Sequence, residues 1–482
     1  MNLDGDLCYE ALRSRDARFD GRFFTGVRTT GIYCRPVCPA PRPKRSNVVF
    51  YPCAAAAEEA GFRPCRRCRP ETAPGTPSWI GTSATVRRAL RLIDEGALDE
   101  GDVPALAERL GVGDRHLRRL FRDHLGATPG RLAQTLRIHF ARRLIDQTDL
   151  PLTDVAFAAG FGSVRRFHEA IAATFGTSPR NLRSRSGGAQ GRFRIELPYR
   201  PPLDRRALFR FLAKRAVPGV ESVDGFTYRR SALLGDLPGV IEIRSPAEGS
   251  PFLLSLPFVP PRGLLSLVEG TRRLFDLDAD PLPIEERLLP DPHLAPLVRR
   301  RPGLRVPGAW DGFELAVRAV LGQQVSVAGA ATLAGRLAER FGRPLPREER
   351  GIRFLFPSAG DLAKARPSGG LPAKRAAALR TLARAAASGD LELGPWADPD
   401  EATRRLLEIE GIGPWTVAYI RLRAFRDPDA FPAGDLGVRK GLSMGDPPMT
   451  ARRAAALAEP WRPWRGYGAM HLWTELAERE KP

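Results

Sequence analysis

The chain is organised around residues 406–438, LLEIEGIGPWTVAYIRLRAFRDPDAFPAGDLGV. Apolar residues recur at helical spacing on both sides of Gly411-Ile412-Gly413, which predicts two helices joined by a tight turn. Such a turn exposes backbone amides at a helix N-terminus, where a phosphate group binds readily. A tryptophan stands two positions after the turn, and a lone acid, Asp435, lies 22 residues past Gly413. This combination indicates chemistry on a nucleotide.

The length and charge of the chain indicate how many domains to expect and what kind of partner they bind. At 482 residues it is too long for one core, so we expect three or four domains. Its 75 Lys+Arg against 55 Asp+Glu favour a polyanionic partner, with nucleic acid ahead of an anionic membrane surface. An arginine-rich, GC-biased genome is the alternative explanation. The chain has no run of about 18 apolar residues and a polar N-terminus, so we expect a cytoplasmic protein without a membrane span.

All six cysteines lie in the first 68 residues, and four of them form two close pairs. Cys34 and Cys38 form a CxxxC pair, and Cys65 and Cys68 a CxxC pair, which is the spacing of a tetrahedral zinc site. A disulfide-bonded protein rarely concentrates its cysteines in this way. We therefore predict one Zn²⁺ bound by four thiolates that holds a small domain together, with buried free thiols as the alternative.

The residues around these cysteines carry a family resemblance. FFTGVRTTGIYCRPVCPAPRPKRSNVVFY, and then AAEEAGFRPCRRCRP, resemble the N-terminal metal domain of the Ada DNA-alkylation response proteins over residues 16–70. The resemblance implies that Cys34 accepts a methyl group from a DNA methylphosphotriester, with the other three cysteines as zinc ligands. Four thiolates on Zn²⁺ would carry a net −2 and stay nucleophilic. Methylation would reduce the charge to −1 and weaken the repulsion from DNA.

Two similar segments follow, VPALAERLGVGDRHLRRLFRDHLGATPGRL at 103–132 and LTDVAFAAGFGSVRRFHEAIAATFGTSPRNL at 152–182. Each has the pattern of a short helix, a glycine turn, a second helix and Gly-x-x-Pro, which is typical of a helix-turn-helix. The repeat resembles the AraC-type DNA-binding domain, which implies sequence-specific DNA binding by the second helices. A solvated helix face is the alternative for each of the candidate DNA-contacting residues, which are Arg115, Arg118, Arg119, Arg165 and Arg166.

The predicted secondary structure changes twice in the second half of the chain. Residues 192–278 alternate β-type runs with helical patterns, which predicts an α+β domain with an antiparallel sheet, and helices follow from 279 onward. YRPPLD and RAVPGVESVDG resemble the N-terminal domain of AlkA-type 3-methyladenine DNA glycosylases. Together with residues 406–438, this half resembles the AlkA branch of the helix-hairpin-helix glycosylase superfamily.

That resemblance implies roles for the central stretch. The amides of Gly411, Ile412 and Gly413 would hold a DNA phosphate, and the carbonyls of the hairpin would bind a monovalent cation. Asp435 would stabilise the oxocarbenium-like sugar and orient or deprotonate the attacking water. A helix N-cap is the alternative reading of Asp435.

The resemblance also implies a base pocket lined by Trp415, Tyr419 and Trp473, whose rings would attract a positively charged alkylpurine. Core packing is the alternative for each ring taken alone. Gln324 stands where the family often has a leucine that wedges into the duplex. A damaged base is weakly paired and easier to flip, which adds selectivity.

Two absences shape the predicted activity. Bifunctional members of the superfamily have a nucleophilic lysine two residues beyond the second hairpin glycine, where this chain has Trp415. We therefore predict a monofunctional glycosylase that leaves an abasic site. The Pro-Cys-His-Arg motif of the second Ada methyltransferase domain is missing as well, so direct reversal of alkylguanine is not expected.

The sequence thus predicts a mainly α multidomain protein: a zinc α+β domain at 1–75, a double helix-turn-helix domain at 84–186, an α+β domain at 192–278 and an all-α glycosylase domain at 279–482. Its expected partners are double-stranded DNA, both alkylated and at promoters, and RNA polymerase, and we expect a monomer. One rival is a transcription regulator whose glycosylase half only binds DNA. The other is a repair enzyme whose N-terminal domains are only tethers.

Overall fold

The computed structural model describes residues 4–73, 84–94, 96–99, 101–183, 193–260, 263–365, 371–394, 396–443 and 448–479. The stretches at 70–83, rich in Pro and Gly, and at 184–192, rich in Gly and Ser, have the composition of linkers and lie mostly or wholly outside these ranges. Within the described ranges, no helix combines the length and the apolar character that crossing a membrane requires.

The first segment is a small four-stranded sheet with two helices. Its strand order is β3-β1-β2-β4, and its pairs are antiparallel except for the parallel pair β2–β4. The elements are α1 (Gly5–Ser14), β1 (Phe24–Val27), β2 (Ile32–Cys34), β3 (Val48–Tyr51), α2 (Ala54–Glu59) and β4 (Arg63–Pro64). Its own apolar clusters are small, one around Phe23 and one around Tyr33. A core of this size is typical of domains that a metal completes.

Seven helices form the next segment, as the repeated pattern predicts. They are α3 (Ala84–Asp94), α4 (Val103–Arg109), α5 (Asp114–Leu125), α6 (Pro129–Gln147), α7 (Leu152–Ala158), α8 (Val164–Phe175) and α9 (Pro179–Leu182). The turns between α4 and α5 and between α7 and α8 need left-handed backbone at Gly111 (φ +68°) and Gly160 (φ +83°), which glycine adopts without strain. The long helix α6 joins the two units.

A five-stranded antiparallel sheet of order β5-β9-β8-β7-β6 follows. Its elements are β5 (Phe193–Leu197), α10 (Arg205–Arg215), β6 (Glu221–Asp224), β7 (Thr227–Leu234), β8 (Leu237–Arg244), β9 (Phe252–Leu256) and α11 (Leu264–Leu274). The apolar face of the sheet shares one buried cluster with α6–α8, in which Phe167 and Ile171 belong to the same core as Leu254 and Phe275.

The remainder is helical, as expected, with one added hairpin. The helices are α12 (Pro281–Leu288), α13 (Ala295–Arg300), α14 (Gly312–Leu321), α15 (Val327–Phe341), α16 (Ala359–Lys364), α17 (Ala373–Ser388), α18 (Pro399–Leu407), α19 (Pro414–Arg423), α20 (Leu436–Ser443), α21 (Ala451–Ala458) and α22 (Arg465–Arg479). The strands β10 (Pro344–Glu349) and β11 (Ile352–Phe354) were not predicted. They lie against the sheet, where Ser231 Oγ donates to the Phe354 carbonyl at 2.7 Å. Because β10 is polar and rich in proline, its strand conformation depends on this tertiary partner.

The N-terminal and C-terminal halves are in direct contact. Trp396, between α17 and α18, packs against the apolar cluster of the first helix-turn-helix unit. Arg88 Nε on α3 donates to the Trp396 carbonyl at 3.0 Å, and its guanidinium pairs with Asp398 at 3.3 Å. The buried Arg200 donates to the carbonyl of Asp20 in the first segment at 2.9 Å. Each half therefore completes part of the packing of the other.

Candidate metal centre and candidate active site

The four predicted cysteine ligands come together at one end of the small sheet. Strand β2 ends at Cys34, and the parallel strand β4 leads into Cys65, whose N–H donates to the Tyr33 carbonyl at 3.0 Å. The sulfurs of Cys34, Cys38, Cys65 and Cys68 all lie within 4.8 Å of one another. Cys34, the predicted acceptor, is the least enclosed of the four at 9% exposure.

The chemistry of this donor set fits a Zn²⁺ ion. Hydrogen bonds among the four thiols raise the pKa of Cys34 and lower the pKa of Cys38 to about 7, because the thiols share protons. All four can be ionised together only when a cation balances their charge. A closed set of four thiolates is the standard structural zinc site, so these residues would hold the ion.

Arg35 braces the centre. Its backbone N–H points at Cys68 Sγ at 3.4 Å, and its guanidinium donates to the Cys68 carbonyl at 3.1 Å and to Thr72 Oγ1 at 2.6 Å. The same guanidinium pairs with the buried carboxylate of Asp20. Arg35 therefore fixes the ligand loops, as outer-shell partners of metal ligands commonly do.

A cavity of about 800 Å³ opens beside the sulfurs of Cys34, Cys38 and Cys65. It is bordered by the exposed arginines Arg42, Arg63, Arg66 and Arg67. Its far wall is the C-terminal end of α8, where Arg66 Nη2 donates to the Phe175 carbonyl at 2.8 Å. The acceptor therefore faces a basic cavity beside the second helix-turn-helix unit, a setting that suits a DNA backbone.

The candidate DNA-contacting arginines lie on the second helix of each unit. On α5, Arg115 and Arg119 are exposed, and Arg118 pairs loosely with Asp114 at 3.7 Å. On α8, Arg165 and Arg166 are exposed, and Arg165 pairs with Glu169 at 2.8 Å. Both ion pairs are with neighbours on the same helix, so the basic faces point outward.

Asp435 precedes α20 and is held from three directions. Trp415 Nε1 donates to its Oδ2 at 2.8 Å, and Trp473 Nε1 donates to its Oδ1 at 2.8 Å. The N–H of Val438 also donates to Oδ1, at 2.9 Å, so Asp435 caps α20. The helix-cap reading of Asp435 and its predicted catalytic role are therefore compatible. One oxygen accepts the capping N–H of Val438, and the two indoles hold the same carboxylate in place.

Asp435 borders a cavity of about 560 Å³ enclosed by α10, α14, α15, α19 and α22. Trp415 and Tyr419 are nearly parallel, with ring centroids 5.8 Å apart and planes 13° apart. Trp473 is tilted by 59° to Tyr419 at 6.2 Å. The structure thus brings together the three aromatic residues predicted for the base pocket, in a space of the size that small ligands occupy.

Several cavity residues were missed from the sequence. Phe211 and Arg215 come from α10, and Arg423 from α19. Arg423 could have been found, since it lies one helical turn beyond Tyr419 and two beyond Trp415 on the same face. Phe211 and Arg215 belong to a distant segment and carry no local signal. Lys214, also on α10, lines the cavity too.

The hairpin and the loop after α14 meet next to this cavity. Gly411 has φ +93° and Ile412 is buried. Gly413 is the N-cap of α19, and no atom outside its immediate neighbours lies within 4 Å of the position that a Cβ would take there. Gln323 Nε2 donates to the Gly411 carbonyl at 2.8 Å and to Thr416 Oγ1 at 3.0 Å. The loop is therefore tied directly to the hairpin.

Gln324, the next residue, is exposed with a left-handed φ of +56°. This conformation is uncommon outside glycine and costs roughly 1 kcal/mol. Val325 and Val327 beside it are also exposed and border the cavity. The loop therefore presents one polar and two apolar side chains at the cavity mouth.

The structure thus joins a half with a four-cysteine centre and two helix-turn-helix units to a half with a helical hairpin and an aromatic cavity. Models of known families match three parts of the chain: the metal binding domain of Ada at 7–71, a helix-turn-helix domain at 106–185 and the AlkA N-terminal domain at 194–311. A solved 3-methyladenine DNA glycosylase from Archaeoglobus fulgidus shares the fold of the C-terminal part, with a TM-score of 0.52 at 22% identity over 60% of this chain and 100% of that one.

The chain belongs to the family of Ada–AlkA fusion proteins. It is 42% identical to the "probable bifunctional transcriptional activator/DNA repair enzyme AlkA" of Mycobacterium tuberculosis, over 99% of this chain and 97% of that protein. It is also 36% identical to DNA-3-methyladenine glycosylase 2 of Escherichia coli, over 58% of this chain and 95% of that protein.

Proposed function

We propose that this protein repairs and senses DNA alkylation. Its C-terminal half is a monofunctional glycosylase that hydrolyses the N-glycosidic bond of alkylated purines such as 3-methyladenine, in double-stranded DNA. Its N-terminal half accepts a methyl group from a DNA methylphosphotriester and binds promoter DNA. One observation carries the glycosylase proposal: the Asp435 carboxylate is held by two indole N–H groups at the edge of an aromatic cavity.

In base excision, the bond between the sugar C1′ and the base nitrogen breaks, and its electron pair neutralises the cationic alkylpurine. Asp435 stabilises the positive charge that develops on the sugar, orients the water whose oxygen bonds to C1′, and accepts the proton that this water releases. Trp415, Tyr419 and Trp473 bind the flipped base through their faces. The two indole donors fix Asp435 before the reaction begins, so the carboxylate need not reorient.

The hairpin and the loop after α14 hold the duplex in this proposal. The amides of Gly411, Ile412 and Gly413 bind a backbone phosphate, and the hairpin carbonyls bind a monovalent cation. The Gly411 carbonyl already accepts from Gln323 and has a second lone pair to offer. Gln324 enters the space that the flipped base leaves.

At the metal centre, the sulfur of Cys34 attacks the methyl carbon of the phosphotriester. The S–C bond forms, the C–O bond breaks, and the phosphate recovers its negative charge. Zn²⁺, when bound, keeps the four sulfurs ionised, and the loss of one negative charge on methylation reduces their repulsion from DNA. The helix-turn-helix arginines on α5 and α8 then bind operator DNA, and the protein, as a monomer, recruits RNA polymerase.

The test is base release from methylated duplex DNA by the wild-type protein and by Asp435→Asn. We expect release of 3-methyladenine by the wild type, a loss of about 10³-fold or more in the variant, and strand breaks only after alkali. Asp390→Asn, which alters an exposed acid, is the matched control and should keep full activity.

Two other outcomes would contradict the proposal in different ways. A wild-type protein that releases no base would be a regulator whose glycosylase half only binds DNA. Strand cleavage without alkali would contradict the monofunctional mechanism. Lys214, which lies on α10 and lines the cavity, would then be the candidate nucleophile.

A further inference from the structure

The floor of the glycosylase cavity carries a buried arginine that is bonded to a tyrosine of the base pocket. Arg423 Nη1 donates to Tyr419 Oη at 2.7 Å. Its other nitrogens are fixed by backbone carbonyls, with Nε at 2.7 Å from the Pro307 oxygen and Nη2 at 2.8 Å from the Gly308 oxygen. The guanidinium is therefore held in place against the phenolic oxygen.

Two more arginines, from other helices, line the same cavity as this tyrosine. Arg215 of α10 stacks on Phe211, with its guanidinium 3.8 Å from the ring centre. Arg318 of α14 is balanced by acids, since it pairs with Glu221 at 3.2 Å and Glu314 at 2.9 Å.

Arg215 and Arg423 are not balanced in this way, because no carboxylate among the described residues forms an ion pair with either. The acid that shares the cavity with them is Asp435, which the indoles and the N–H of Val438 hold. Arg210 and Lys214 line the cavity as well, and Arg210 pairs with Glu478 at 2.7 Å. The surroundings of Tyr419 thus carry excess positive charge.

This arrangement is at odds with a simple aromatic cage. An alkylpurine with a fixed positive charge is attracted by the three rings but repelled by Arg215 and Arg423. Burial raises the pKa of Tyr419, but Arg423, Arg215 and Arg318 outweigh it and lower the pKa to about 8. The phenolic oxygen can therefore change charge within the range in which enzymes are commonly assayed.

We propose that Tyr419 and Arg423 form a charge-selecting pair in the base pocket. With the hydroxyl ionised, the pair is neutral overall and the pocket favours alkylpurines that carry a positive charge. With the hydroxyl protonated, the arginine charge remains and the preference for a cationic over an uncharged lesion falls. This inference rests on the proposed glycosylase function and adds the two residues, and the pH dependence, by which the pocket would distinguish cationic from uncharged lesions.

The experiment measures single-turnover release of two lesions from the same duplex between pH 7 and pH 9. 3-Methyladenine is the cationic substrate, corrected for its spontaneous loss, and 1,N⁶-ethenoadenine is the uncharged one. For a pKa near 8, the ionised fraction rises from about one tenth to about nine tenths over this range. We expect release of 3-methyladenine relative to the uncharged lesion to rise about fivefold to tenfold.

Two variants test whether Tyr419 and Arg423 cause the rise in 3-methyladenine release with pH. Tyr419→Phe keeps the ring and should show no pH step in 3-methyladenine release, whatever its rate on the uncharged lesion. Arg423→Gln should move the step toward the ordinary range of tyrosine. Tyr199→Phe, a tyrosine that packs on Phe252 in the sheet domain, is the matched control and should keep the wild-type profile.

A flat wild-type profile, or a step that persists in Tyr419→Phe, overturns the charge-selecting pair while leaving base release intact. A wild-type protein that releases neither base overturns the glycosylase proposal and this inference with it. The two failures are therefore distinguishable in one set of measurements.

Discussion

The metal centre and the glycosylase cavity are built in opposite ways. The centre takes its four ligands from residues 34–68, on two adjacent strands and the loops that follow them. The cavity draws its lining from residues 207–477, on five helices, the loop after α14 and Asp435. A site made by neighbours in sequence is visible from its spacing, whereas a site made by the tertiary fold shows only the few residues that belong to a motif.

The two sites also hold their reactive atoms differently. Cys34 lies in a set of like-charged sulfurs that a metal would balance, and in the proposed transfer its product would be a thioether, which offers no route back to the thiolate. Asp435 is a single carboxylate held by three N–H donors, and in the proposed mechanism it would be unchanged after each reaction. Under this proposal the first site reacts once per molecule, and the second acts repeatedly.

The largest expected effect is at the metal centre. Cys38→Ser should abolish both zinc binding and methyl uptake, because a small domain loses about 10 kcal/mol or more of binding energy with its ion. Base release should stay within about twofold, since the cavity lies in the other half. Metal content, methyl transfer from methylated DNA and base release would be measured together, with Cys8→Ala as the control that keeps the metal. Equal loss of both activities would show that the sites are not separate.

The contact between the halves gives the next largest effect. Trp396→Ala removes a half-buried ring from the first helix-turn-helix core, and we expect a loss of about 2–3 kcal/mol in the free energy of unfolding. Calorimetry should then resolve two transitions in place of one. Leu407→Ala, which alters an exposed side chain on α18, should leave the melting profile unchanged. An unchanged profile in Trp396→Ala would show that the halves fold independently.

Acidity should affect the glycosylase half through His471 on α22. Burial, with a smaller contribution from Arg301, lowers the pKa of His471 to about 3. The unfolded chain binds this proton below about pH 6.5 while the folded chain does not, so stability falls as the pH drops from 6.5 towards 3. Between pH 7 and pH 5 the loss should be about 2 kcal/mol. Urea titrations of the wild type and His471→Gln measure it, and equal slopes in both would remove His471 as the cause.

The smallest expected effect concerns the two indole N–H groups that hold Asp435. Trp473→Phe keeps a ring in the pocket and removes one of the two indole donors, so base release should fall by about tenfold. Trp415→Phe should behave alike, and the double variant should lose less than the product of the two, because the carboxylate loses its fixed position at the first change. Methyl uptake at Cys34 is the internal control and should not change.

The features that could be predicted from the sequence are the local ones, and those that could not be predicted depend on the tertiary fold. The spacing of the four cysteine ligands, the paired helix-turn-helix units and the hairpin with Asp435 are local patterns, and the structure places them as expected. Phe211 and Arg215 escaped prediction because α10 reaches the cavity only through the packing of the sheet domain. The β10–β11 hairpin escaped because its partner is the edge formed by Gly219 and Ser231, far away in sequence.

In the proposed role at the duplex, the fixed positions of Gln323 and Gln324 would affect how quickly the protein inspects DNA. The Gln323 side chain is tied to the hairpin, and the backbone carbonyl of Gln323 accepts from Arg375 Nη2 at 2.6 Å, so the turn at Gln324 is set when the chain folds. A loop that is already ordered in the free protein loses little conformational entropy when it binds a duplex. In that proposed role, the loop would therefore add no ordering step of its own to the opening of each base pair.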